Sequence, residues 1–99
     1  MKDKDLVEKW LRNTPSDEAV EVVKSVLIRH FGKDAIRRKT GHSHELRLKH
    51  HALAGMLGFT QYGDLRIPVK SGQRIKGYYL KRIAQGIKRL EEAAHEREG

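Results

Sequence analysis

Residues 44–50 read HELRLKH, and the phase of this stretch decides the fold. In an extended chain successive side chains point to opposite faces. His44, Leu46, Leu48 and His50 then share one face, and Glu45, Arg47 and Lys49 share the other. The same two-residue period returns at 64–70, DLRIPVK, with Leu65, Ile67 and Val69 on one face and Arg66, Pro68 and Lys70 opposite. Pro68 has no N–H to give to a ladder, which predicts an edge strand. Upstream, AIRRKT (35–40) reads as a weakly patterned strand, joined to HELRLKH by the tight connection TGHS (40–43). The second connection, HALAGMLGFTQYG (51–63), is long and apolar, and is compatible with a helical turn or a lengthened hairpin.

On either side of this block the apolar spacing is helical. Leu6, Val7, Trp10 and Leu11 predict a short helix over 5–12. In NTPSDE (13–18), Thr14 suits an N-cap, Pro15 the first helical position, and Asp17 and Glu18 the positive helix start, predicting a second helix to Phe31 that stops at Gly32. From Gly77 onward, Leu80, Ile83, Ile87, Leu90 and Ala94 step by three and four, a one-sided seam interrupted by Gly86. Glycine there costs the helix about 1 kcal/mol relative to alanine. The expected fold class is α+β in the order α-α-β-β-β-α. It is one domain over 1–99, a three-stranded antiparallel meander in order 1-2-3 with the second and last helices on its apolar face. Leu46, Leu48, Ile67, Val69, Ile83 and Val23 should be core, and the first helix should meet Leu90, Ala93 and Ala94 or form a homodimer.

Lys and Arg number 21 against 13 Asp and Glu, a formal net charge of +8 in 99 residues. From Met1 to Asp34 acids and bases cancel, whereas Ala35 to Arg89 carries thirteen bases and only two acids, Glu45 and Asp64. Such a basic excess suits a polyanion, above all nucleic acid; the plainer reading is a solvated basic surface. The absence of cysteine excludes a disulfide framework and a thiolate zinc site. No window is long and apolar enough to span a bilayer, and the polar start does not read as a signal peptide, so a cytoplasmic protein without membrane contact is expected.

Two stretches together resemble the HicA (YcfA-like) family of small toxin ribonucleases. RRKTGHSHELRL (37–48) is similar to the family's strand–turn–strand motif, which delivers a histidine to the start of the second strand. RIPVKSGQRIKGYYLKRIAQGI (66–87) is similar to its strand end, SG-containing loop and final helix. The likeness covers about 20–87, with 1–14 an added helix and 88–99 an extension of the last one. It implies a fold related to double-stranded RNA-binding domains, metal-independent cleavage of mRNA with no cofactor, and a HicB-like antitoxin as partner. The family's catalytic histidine falls on His44. Lys70 stands where many members carry a second histidine, and His42 where the glycine-serine-histidine form has glycine.

A histidine suits both proton transfers of RNA cleavage because its pKa lies near working pH. His44 and Lys70 are therefore the candidate catalytic residues. Arg37, Arg38, Lys39, Arg47, Lys49, Arg66 and Arg74 are the candidate RNA contacts, reading backbone and shape rather than sequence. Other readings stay open. His44 is in phase with Leu46 and Leu48, as a histidine closing the edge of the core would be. His42, His44 and His50 share a phase, which raises zinc, although neighbouring acids are few; no metal is expected. A non-catalytic RNA-binding module, or a structural protein docking through ALAGMLGF (52–59), are the alternatives to an enzyme. Of Tyr78 and Tyr79, at least one is expected in the core.

Overall fold

A computed structural model describes residues 3–38, 45–70 and 73–98 of the chain. The class is α+β, with three α-helices and antiparallel strands among the described residues. Helix α1 (Asp3–Arg12) leads into strand β1 (Asp17–Ala19) and helix α2 (Val20–Phe31). Strands β2 (Ile36–Arg38), β3 (Glu45–Lys49), β4 (Asp64–Pro68) and β5 (Arg74–Lys76) follow, and helix α3 (Gly77–Glu98) comes last among the described elements.

The three strands expected from the sequence pair as an antiparallel meander, and a second sheet of two strands, β1 and β5, is a feature the sequence did not announce. The central strand β3 pairs with β2 over three residues and with β4 over five, in the order β2-β3-β4. Its alternation is the expected one: Leu46, Leu48, Leu65 and Ile67 are buried, while Arg47 and Arg66 are exposed. Pro68 closes β4, whose outer side has no strand partner among the described residues, in keeping with its missing N–H. The buried face joins Val23, Val26 and Leu27 of α2 and Leu80, Ile83 and Ile87 of α3 in one core, with Val69 also buried.

The start of the second helix is a correction. Thr14 does not cap it; its hydroxyl donates to the Trp10 carbonyl and so closes the end of α1. Asp17–Ala19 is extended and pairs with Arg74–Lys76 as a second, two-stranded sheet. Hydrogen bonds to the flanking chain close both ends of this ribbon, from Val20 N–H to Gln73 O (2.9 Å) and from Gly77 N–H to Ser16 O (2.9 Å). The acids and proline at 15–18 fit a helix start by local chemistry, but fixed backbone partners from a distant strand outweigh a weak local preference. Three-residue strands such as DEA and RIK carry too few positions for alternation to register.

The 51–63 connection holds a turn of 3₁₀ helix (His51–Leu53) and then folds back toward α3. Leu53 is fully buried, and its side chain and the Phe59 ring face Gly86 so closely that a Cβ there would lie 3.3 Å from Leu53 and 3.5 Å from Phe59. Gly86 thus gives up helix propensity to let the connection seat on α3. Gly63, at φ 82°, takes a backbone conformation open to glycine, and a Cβ would collide with the His50 carbonyl. Helix α1 packs along α3 within the same chain, with Val7 and Trp10 buried and Leu6, Leu11 and Leu90 partly so. Lys88 Nζ lies 2.7 Å from Glu8 Oε1 across that seam.

Candidate nucleic-acid interface

Sheet register sets the pattern of charge on the open face. Arg37 is the Cα partner of Arg47, and Arg47 is the partner of Arg66, so three arginines form one row across β2, β3 and β4. Like charges directly opposite one another destabilise a sheet. The two acids of this basic stretch lie beside the row. Glu45 Oε1 is 4.0 Å from Arg66 Nε, and Asp64 Oδ1 is 3.3 Å from Arg47 Nε. Both pairings are partial, since the Arg47 and Arg66 side chains remain 48% and 70% exposed. Lys49, the cross-strand partner of Asp64, is also exposed.

The remaining candidates fall elsewhere. Arg38 is the partner of Leu46, out of phase with the arginine row. Arg74 belongs to the β1–β5 ribbon, where its Nε donates to Asp17 Oδ1 at 2.9 Å. Lys70 is exposed and bridges to Arg74, donating its N–H to the Arg74 carbonyl at 2.8 Å. His44 and Lys39 lie outside the described residues, as does His42. Among the described residues no group of three or more His, Cys, Asp or Glu side chains is arranged to hold a metal ion. Nor, among them, is any helix long and apolar enough to cross a membrane.

His50 and His51 follow β3 directly. The His50 Nδ1 accepts the Ala52 N–H at 3.1 Å and so caps the 3₁₀ turn, while its ring stacks on His51 at 4.5 Å and tilts against Phe31 at 5.7 Å. Burial lowers the His50 pKa from its ordinary 6.5, and the neighbouring His51 lowers it further. This histidine is a structural acceptor rather than a surface contact.

Beside the arginine row, between β4, the 57–62 loop and the start of α3, lies an open groove of about 630 Å³. Its lining includes Arg47, Arg66, Tyr62, Tyr78, Tyr79 and Asp64. Tyr62 and Tyr78 are 65% and 55% exposed. The Arg82 guanidinium lies 4.9 Å from the Tyr78 ring centroid, and Tyr79 meets Tyr78 edge-on at 5.0 Å. Asp64 is buried, and Thr60 ties it to the loop. The Thr60 hydroxyl donates to Asp64 Oδ2 at 3.4 Å and accepts the N–H groups of Tyr62 and Asp64 at 3.2 Å each. Sequence reasoning did not find Tyr62 or Arg82; the polar TQYGD run between apolar segments was the available signal for a turn presenting an aromatic.

Comparison with known proteins finds no match to this chain among protein-family models, curated proteins or solved structures.

Proposed function

We propose that this protein binds RNA on the open face of its β2-β3-β4 sheet and cleaves it without a metal ion. In this reading it is a cytoplasmic toxin ribonuclease of the HicA type, with a fold related to double-stranded RNA-binding domains and a HicB-like antitoxin as partner. The observation that carries the RNA reading is the row Arg37–Arg47–Arg66 in cross-strand register, beside which the acids Glu45 and Asp64 lie. A row of like charges is tolerated where an anion completes it.

The catalytic part rests on the resemblance of GHSHELRL to the family's motif. His44 takes the proton of a 2′-hydroxyl or returns one to the leaving 5′-oxygen. The 2′-oxygen bonds to phosphorus as the P–O5′ bond breaks, and a cation stabilises the charge on the phosphoryl oxygens. Glu45, bonded to His44, is the Cα partner of Pro68, two residues before Lys70. Lys70, which stands where many members of the family carry a second histidine, is the candidate cation in this reading. The second reading, a binding module without catalysis, is favoured by lysine at 70 in the position of the family's second histidine.

The test is incubation of the purified protein with a structured mRNA in EDTA. Discrete cleavage is expected, with His44→Ala lowering the rate about 100- to 10,000-fold while RNA affinity and melting temperature stay near wild type. Retention of RNA in a gel shift without cleavage selects the binding module. No retention at low salt defeats both.

A further inference from the structure

We infer that the groove beside the arginine row is a stacking site for unpaired bases, which makes single-stranded RNA the preferred ligand of this surface. The inference rests on the RNA reading above and specifies which form of RNA the protein holds. Basic residues on a sheet face read backbone and shape, whereas exposed aromatic rings beside them select single strands, because only unpaired bases offer a free π-face.

Three observations converge on this groove. Tyr78 sits at the start of α3 with more than half its surface open, and the Arg82 guanidinium holds it from one side at 4.9 Å. Arg82 is itself fixed, its Nη1 donating to Gln85 Oε1 at 2.8 Å, so the ring is oriented before any ligand arrives. Tyr62 lines the same groove from a loop that Thr60 and Asp64 pin by hydrogen bonds. An aromatic held by a rigid support loses little entropy on stacking. Finally, Arg47 and Arg66 line the groove too, so phosphates on either side of a stacked base meet cations of the row. A protein partner would also fit exposed tyrosines, but the +8 charge and the arginines of the lining favour a polyanion.

The experiment compares three labelled oligonucleotides of equal length and charge per strand by fluorescence anisotropy: single-stranded RNA, the same strand with abasic sites in place of its central bases, and an RNA duplex. Wild type is expected to bind the single strand most tightly. Tyr78→Leu and Tyr62→Leu should each weaken single-strand binding roughly 5- to 150-fold while leaving the abasic strand unaffected. Tyr78→Phe keeps the ring and should retain affinity, which separates stacking from any damage to the fold. Arg66→Ala, in contrast, should weaken all three ligands. Equal wild-type affinity for the single and abasic strands overturns the stacking site and leaves RNA binding by the arginine row intact. Failure of wild type to bind any of the three at low salt overturns the RNA reading itself.

Discussion

At Asp64 a carboxylate with 7% of its residue surface exposed stands under the arginine row, 3.3 Å from Arg47 Nε. The sequence marks it as one of two acids in a basic stretch, and alternation puts it on the open face with Arg66. Its burial is not legible there, because it comes from the 57–62 loop folding over the strand end through Thr60. His50 is a parallel case. Its phase with Leu46 and Leu48 is readable, but its role as acceptor for the Ala52 N–H depends on the turn that follows. That bond needs neutral imidazole, and the folded-state pKa is depressed below 6.5, first by burial and then by His51. The folded protein therefore binds fewer protons at this site than the unfolded chain. Its contribution is complete above 6.5 and is lost as pH falls through that value toward the depressed folded pKa. The difference in melting temperature between wild type and His50→Asn, which keeps an acceptor but does not titrate, should shrink from pH 7.5 to pH 5.5. A difference that is constant with pH counts against the assignment.

Among the elements, α1 was readable from four apolar residues, and its partner from the apolar steps beyond Ile87. What the spacing did not reveal is that Trp10 becomes fully buried, at the end of a ten-residue helix held by the Thr14 hydroxyl and by Lys88. Glu8, hydrogen-bonded first by Lys88 and then by Arg12, titrates below 4.5, so this tie holds at neutral pH and weakens as acid protonates the carboxylate. An isolated helix of that length is marginal in water, so α1 exists because α3 buries its face. Trp10→Ala should cost about 3–5 kcal/mol. That is a large share of the roughly 5–15 kcal/mol by which a small domain is stable. Deleting residues 1–12 should lower the denaturation midpoint comparably. A deletion protein that melts like wild type would falsify this account of α1. Strands β1 and β5 were illegible for the opposite reason: each is three residues long, and both are defined by their pairing rather than by their composition.

For the molecule as a whole, net charge and its uneven distribution along the chain pointed to a polyanion before any coordinates, and the register of β2, β3 and β4 turned that bias into a row. If the row binds phosphates, affinity must fall with salt, because each neutralised phosphate releases counterions. On single-stranded RNA each such contact adds about 0.7 to the slope of log affinity against log salt. Replacing Arg47 and Lys49 by alanine should therefore shallow that slope by about 1.4, equally for all sequences. Titrations of wild type that show no salt dependence would mean that the face is merely hydrated.

The β1–β5 ribbon also bears on how the chain is made. Asp17 and Arg74, joined across it, are 57 residues apart in sequence, and α1 waits for α3 in the same way. Contacts of such long span form late, because the intervening chain must first be brought together. On the ribosome residues 3–19 emerge before β5 and α3, with their strand unpaired and Trp10 exposed. Both stay so until α3 has left the exit tunnel, and over that interval the segment is open to binding factors and proteases.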